Sequence, residues 1–198
     1  MRMTRMRIAT LVTLFVTTTT VAAQDTEFMR ALERAQQQRP AALTSSARIA
    51  AATEPGTPLV LAGRIVGVDG SPAANAIIFA YHTDRNGIYD AREKGPHSWR
   101  LKGWARSDAQ GRFTFQTIRP GSYPNERIPA HVHFSAFTSS GERYHLGEVR
   151  FADDPLLSAS DRAESEREGE FGDVRPVTKE GAAQQVAFTL RMKAANRF

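Results

Sequence analysis

The chain has 198 residues, of which 41% are hydrophobic, and this size and composition suit one folded domain with appendages. It contains no cysteine, which excludes disulfide bonds, thiolate catalysis and cysteine-ligated zinc. The formal net charge is +5, but the sequence has no sustained stripe of lysine and arginine with interleaved aromatic residues. We therefore expect no nucleic-acid partner.

Residues 1–23 have the pattern of a signal peptide: basic "MRMTRMR", apolar "IATLVTLFV", and small residues before a predicted cleavage after Ala23. The apolar segment is shorter than the about 20 residues of a transmembrane helix, so we expect no membrane span. Cleavage would remove three arginines and no acidic residue, which lowers the net charge from +5 to +2. The prediction is an exported protein, periplasmic or secreted; a buried N-terminal helix is the alternative.

Residues 24–58 are predicted to form an N-terminal helix and a linker. Within residues 25–39, Phe28, Leu32 and Ala35 share one helical face, and Pro40 ends the helix. Residues 41–58 are mostly small and suit a linker. We expect this arm to pack on the domain or on a second subunit, so a homo-oligomer is one expectation.

Residues 59–192 are predicted to form an all-β domain, followed by a tail at 193–198. Short apolar runs alternate with turn sequences such as "DGSP" and "DRNG", a spacing typical of an antiparallel β-sandwich with long connecting loops. The polar segment 153–184 is interpreted as a surface excursion. The predicted core comprises Ile65, Ile78, Phe113, Phe115, Val132, Phe134 and Phe188.

The segment "RPGSYPNERIPAHVHFSAF", residues 119–137, carries two candidate metal ligands. On a strand, His131 and His133 point to one face, about 7 Å apart, while Val132 and Phe134 point to the opposite, core face. Imidazole is the commonest metal ligand, so the pair indicates a metal site that needs further ligands. A cupin-type site is rejected, because it requires a glutamate four or five residues after the second histidine. The remaining histidines are interpreted as structural or surface residues: His82, His97 and His145.

Tyrosines are the candidates for the missing ligands, because oxygen donors favour a hard, highly charged metal and phenolate binds ferric iron strongly. Tyr123 lies in the turn "PGSYP" that leads into the histidine strand, and Tyr89 follows the Asn-Gly turn of "DRNGIYD". Tyr81 and Tyr144 are the other two phenols. Taken singly, each tyrosine is more often a half-buried packing residue, so these patterns alone leave the ligand set open.

Taken together, the motifs resemble a known family. "GRIVGVDGSPAANAIIFAYHTDRNGIYD", "RSDAQGRFTFQTIRPGSYP", "IPAHVHF" and "GEVRFADDPLL" are similar to segments of the intradiol ring-cleavage dioxygenases, which include protocatechuate 3,4-dioxygenase and catechol 1,2-dioxygenase. The resemblance covers roughly residues 59–157. It implies a non-haem Fe(III) enzyme that cleaves a catechol-type aromatic compound with O2 to a muconate-type diacid.

The resemblance also implies the site residues. The iron ligands would be Tyr89, Tyr123, His131 and His133, and Tyr123 would be the catalytic ligand that a bound catechol displaces. Two phenolates and a hydroxide would balance the charge of Fe³⁺, which leaves a neutral site that tolerates burial. No organic redox cofactor is expected.

Two positions around the expected substrate depart from the family pattern. The family has an arginine three residues before the first histidine, where this chain has Ile128; Arg127, one residue earlier, is the candidate for that catalytic role. A glutamine of the family is replaced by Glu148, a candidate substrate-binding residue whose charge would favour neutral or amine-bearing catechols. Two alternatives remain: a transthyretin-like binding module, and an iron-binding relative without dioxygenase activity.

Overall fold

A computed structural model describes residues 19–90 and 99–197. Most of the predicted signal peptide and His97 lie outside these ranges. In the described part of the chain, no helix is long and apolar enough to cross a membrane.

The chain forms ten strands and two α-helices in the described ranges. In chain order they are α1 (Thr19–Gln37), β1 (Ser46–Arg48), β2 (Pro58–Val66), β3 (Ile77–His82), β4 (Leu101–Arg106), β5 (Arg112–Ile118), β6 (His131–Phe137), β7 (Arg143–Phe151), α2 (Ala159–Glu168), β8 (Val174–Arg175), β9 (Thr178–Glu180) and β10 (Ala183–Arg191). Short 3-10 turns occupy Gly169–Phe171 and Ala194–Asn196.

The strands form two five-stranded sheets. Sheet I has the order β1-β5-β2-β10-β9, and sheet II has the order β4-β3-β6-β7-β8. The predicted β-sandwich is confirmed, and all seven predicted core residues are buried between the sheets. The pairing is not purely antiparallel, however: β1 with β5, β2 with β10, and β7 with β8 are parallel.

Helix α1 covers the outer face of sheet II. Leu32 and Ala35 of the predicted apolar face are buried there in a second cluster with Ala31, and Phe28 of that face is partly buried against it. The cluster also contains Phe79, Tyr81, Trp99 and Phe137. The helix begins at Thr19 and therefore includes residues on both sides of the predicted cleavage point. The segment predicted as a linker also contains β1, which pairs with β5.

The charged segment after β7 contains helix α2. Its N-terminus is capped by Ser158, whose hydroxyl accepts from the backbone N–H of Asp161, while the Asp161 carboxylate accepts from the backbone N–H of Ser158. This reciprocal cap satisfies two backbone donors that the helix leaves open. The same Asp161 carboxylate also binds Arg150 on β7 at 2.7 Å, so the excursion is tied to sheet II.

Candidate metal centre

Tyr89 is presented by a tight turn after β3. The Asp84 carboxylate accepts hydrogen bonds from the backbone N–H groups of Asn86 and Ile88, at 2.8 and 3.0 Å. The backbone N–H of Asp84 in turn donates to the Ile88 carbonyl at 2.8 Å. These bonds define the path of the chain immediately before Tyr89.

This turn is docked against the loop that carries Tyr123. The backbone N–H of Gly121 donates to the Asp84 carbonyl at 2.8 Å, and the Thr83 hydroxyl donates to the Gly121 carbonyl at 2.8 Å. A Cβ at Gly121 would lie 2.5 Å from the Arg85 carbonyl oxygen, and a Cβ at Gly87 would overlap the backbone of Ser122. Glycine is therefore required on both sides of this contact, which we call the tyrosine-loop contact.

The contact brings the two predicted tyrosines together. The phenol oxygens of Tyr89 and Tyr123 are 2.6 Å apart. The Tyr123 oxygen is also 3.1 Å from Nε2 of His131. Two phenols and the first histidine therefore meet at one point.

The histidines enter this site from β6. The Ala130 N–H donates to the buried Asp154 carboxylate at 2.9 Å, which fixes the residue before the strand. His131 Nδ1 is 2.7 Å from the Pro129 carbonyl, so Nδ1 carries the proton and Nε2 keeps its lone pair. The ring centroids of His131 and His133 are 4.5 Å apart.

Tyr81 holds the ring of His133 from the neighbouring strand. The two residues are direct partners in the β3–β6 pairing, and their rings stack at 4.7 Å between centroids with 22° between planes. Tyr81 also stacks with Trp99 at 4.1 Å. The imidazole is thus oriented by an aromatic stack that the sequence motifs did not indicate.

Without a bound cation, the pocket favours neutral side chains. Burial raises the pKa of Tyr89 and of Tyr123, and the Tyr123 phenol raises that of Tyr89 further. Burial, together with neighbouring His131, lowers the pKa of His133 to about 3. Neutral imidazole is the form that binds metals, and a trivalent cation reverses the preference of the phenols because it stabilises phenolate.

Glu148 adds a carboxylate to the same group. It lies opposite His133 in the β6–β7 pairing, and its Oε2 is 3.9 Å from both His131 Nε2 and His133 Nδ1. Ligand atoms of these three residues lie within 4.8 Å of one another. The complete set of phenol and carboxylate oxygens with imidazole nitrogens fits a hard, highly charged iron ion, because it contains only oxygen and nitrogen donors.

Arg127, unlike the candidate ligands, is not held in the metal centre by any hydrogen bond to the described residues. It is exposed in the loop between Tyr123 and β6, and it forms no hydrogen bond or ion pair with a residue in the described ranges. Because β6 begins only at His131, strand alternation does not decide which way Arg127 points. Its guanidinium is open to solvent on the loop that carries Tyr123.

His82 and Tyr144 lie away from the site. His82 is fully buried, with Nδ1 2.6 Å from the Thr83 carbonyl and Nε2 2.7 Å from the Thr117 hydroxyl, in agreement with its predicted structural role. Burial lowers its pKa to about 4. Tyr144 is buried in the sandwich core. His145 lies on β7 beside Phe28 of α1, with 6.5 Å between ring centroids.

Comparison with known proteins decides the family. A family model described as "Dioxygenase" matches residues 33–194. The chain belongs to the intradiol ring-cleavage dioxygenases. It is 30% identical over 127 residues to catechol 1,2-dioxygenase 2 of Acinetobacter lwoffii, covering 56% of this chain and 46% of that protein. It is 31% identical over 114 residues to the protocatechuate 3,4-dioxygenase beta chain of Burkholderia cepacia, covering 52% and 48%. The chain thus spans less than half the length of these curated relatives.

Solved structures of intradiol dioxygenases share the fold. The dioxygenase domain of a carbohydrate-binding fusion protein from Streptomyces sp. SirexAA-E superposes with a TM-score of 0.57 at 21% identity, covering 75% of this chain and 89% of that one. An intradiol ring-cleavage dioxygenase from Tetranychus urticae gives 0.55 at 20% identity, covering 78% and 89%. The match to the Tetranychus urticae protein covers most of an intradiol ring-cleavage dioxygenase chain.

Proposed function

We propose that this chain is a ferric-iron intradiol dioxygenase that cleaves a catechol-type ring with O2 to a muconate-type diacid. The observation that carries the proposal is the convergence of Tyr89, Tyr123, His131 and His133, which come from two loops and one strand. A transthyretin-like binding module has no reason to bring these four side chains together.

The four residues would hold the iron through two phenolate oxygens and two imidazole nitrogens. When bound, ferric iron supplies a charge that lowers the pKa of phenols and a centre on which a catechol becomes reactive toward O2. Tyr89 is the fixed phenol of the pair, since its ring packs near Tyr81, with centroids 6.0 Å apart. Tyr123 is the ligand that the family resemblance implies would leave, and its freed oxygen would accept a proton from the substrate.

Arg127 is our candidate for the residue that stabilises negative charge developing on the ring. Its guanidinium is exposed and has no ion-pair partner among the residues in 19–90 and 99–197, so it is available to a substrate. Removing one such electrostatic contact commonly costs about 10²–10³ in rate. If Arg127 does not act in this way, the iron-binding relative without dioxygenase activity becomes the better description.

Substrate choice is proposed to depend on the charge of Glu148. A carboxylate this close to the histidines repels a benzoate-type catechol and attracts an amine-bearing one. We therefore propose neutral or amine-bearing catechols as substrates. Substituting Glu148→Gln should raise the rate on a carboxylated catechol relative to catechol itself.

The test is an oxygen-uptake assay on the iron-loaded chain with a panel of catechols, combined with metal analysis and a visible spectrum. Phenolate bound to ferric iron absorbs visible light, so the protein should be coloured. His133→Ala should lose most of the iron, whereas His145→Ala should keep it. A colourless protein without oxygen uptake would refute the proposal, and a coloured one without uptake would favour the inactive relative.

We also propose that the protein is exported, since residues 1–23 have the order of a signal peptide. N-terminal sequencing of exported material should then begin near Gln24. Recovery of an intact Met1 would contradict the proposal.

A further inference from the structure

We propose that Glu148 is itself a ligand of the iron, so that the centre has five protein ligands: Tyr89, Tyr123, His131, His133 and Glu148. The inference rests on the proposed function and deepens it. In this proposal Glu148 coordinates the iron and also influences which catechol binds.

A β-bulge in β7 turns Glu148 toward the histidines. Phe134 of β6 pairs with Gly147, but the next residue, Ser135, pairs with His145, which leaves Leu146 as an extra residue in β7. Gly147 has φ +81°, as such a bulge favours. With strict alternation along β7, the Glu148 side chain would point into the core like that of Tyr144. The extra residue shifts the alternation by one position, so Glu148 points to the opposite face of sheet II. Glu148 is instead directly opposite His133.

The distances place the carboxylate in ligand range. Metal–nitrogen and metal–oxygen bonds in proteins are about 2.0–2.2 Å, so two donors on one ion lie at most about 4.4 Å apart. Glu148 Oε2 is 3.9 Å from His131 Nε2 and from His133 Nδ1. A residue that only lined the substrate pocket would not need an oxygen close to both histidines. Two histidines and one carboxylate also form the donor set of non-haem Fe(II) oxygenases.

Arg150 orients Glu148 without cancelling its charge. The Arg150 Nε is 3.6 Å from Glu148 Oε1, so one carboxylate oxygen is turned to the arginine and the other to the histidines. Arg150 also donates to Asp173 through Nε at 2.6 Å and to Asp161 through Nη1 at 2.7 Å. Two aspartates therefore already balance the guanidinium, and Glu148 keeps a negative charge that a cation can use.

Iron affinity and the visible band of three proteins test the inference: wild type, Glu148→Gln and Glu126→Gln. Glutamine is nearly isosteric with glutamate, which limits any effect on folding. Glu126 is the matched control, because it is exposed on the Tyr123 loop and its charge acts on Tyr123, but it does not belong to the histidine group. Each protein is dialysed against a chelator of fixed concentration, and retained iron is measured.

We expect Glu148→Gln to weaken iron binding by at least about 10-fold. We also expect its visible band to move to longer wavelength, because losing an anionic donor makes ferric iron a stronger acceptor of phenolate charge. Glu126→Gln, which removes a nearby charge but no ligand, should change both far less. Equal effects in the two variants, or no effect in Glu148→Gln, would overturn the inference. The proposed function would still stand in that case if the wild type binds iron and cleaves catechols. A wild type that takes up no iron would overturn both.

Discussion

The tyrosine-loop contact predicts that Gly87→Ala disrupts the metal centre. Gly87 has φ +79°, and a Cβ there would lie 2.7 Å from the Ser122 carbonyl carbon, where ordinary contact begins at 3.4 Å. The two loops must therefore separate by about 0.7 Å or more, whereas metal sites tolerate displacements of only about 0.2 Å. We expect iron affinity to fall by at least about 10-fold.

Gly70→Ala provides the matched control for this prediction. Gly70 has nearly the same φ, +82°, but no atom lies within 4 Å of its Cβ position. Both substitutions place alanine in the left-handed region, which costs about 1–2 kcal/mol of stability. Iron binding and the visible band should change only in Gly87→Ala, while the melting temperature falls in both variants and falls further in Gly87→Ala because of the added clash. Wild-type iron binding by Gly87→Ala would show that the glycine contact does not position the two phenols.

Three further predictions concern separate parts of the molecule. Tyr81→Leu should weaken iron binding by about 10-fold or more because His133 loses its stacking partner. Tyr81→Phe keeps the aromatic ring and should bind iron like the wild type, and equal iron loading of the two variants would contradict this. Arg127→Ala should lower turnover by about 10²–10³ with iron content unchanged, and an unchanged rate would remove Arg127 from the mechanism. The pKa of His82 falls from about 6.5 in an unfolded chain to about 4 in the folded protein. The contribution of buried, neutral His82 to the free energy of unfolding is therefore fully present above pH 6.5 and is lost as the pH falls to 4. The loss is about 3 kcal/mol, and denaturant unfolding of His82→Gln should lack this pH dependence.

The sequence was sufficient to predict the features that depend on local patterns. The His131–His133 pair and the two tyrosine turns each lie in short motifs whose residues stay close in the folded chain. The residues of β5 and β6 that face the core between the sheets, such as Phe113, Phe115, Val132 and Phe134, follow from alternation within single strands. These parts of the prediction required no knowledge of which strands are neighbours.

The features that depend on strand pairing could not be predicted in this way. Tyr81 reaches His133 because β3 and β6 are paired in one particular register. The direction of Glu148 depends on an extra residue in β7, which reverses the alternation expected from its sequence. The direction of Arg127 depends on the loop before β6, to which strand periodicity does not apply.

The parallel pairing of β2 with β10 also has a consequence for folding. The two strands match along their length, from Leu59 with Gln184 to Val66 with Arg191, although more than half the chain separates them. Such distant contacts form slowly, and sheet I cannot be completed until the chain has been synthesised through β10. Until then β2 has an unpaired edge, which other chains can extend into aggregates. Premature termination before residue 183 should therefore produce an aggregation-prone fragment, even though every candidate iron ligand has already been made.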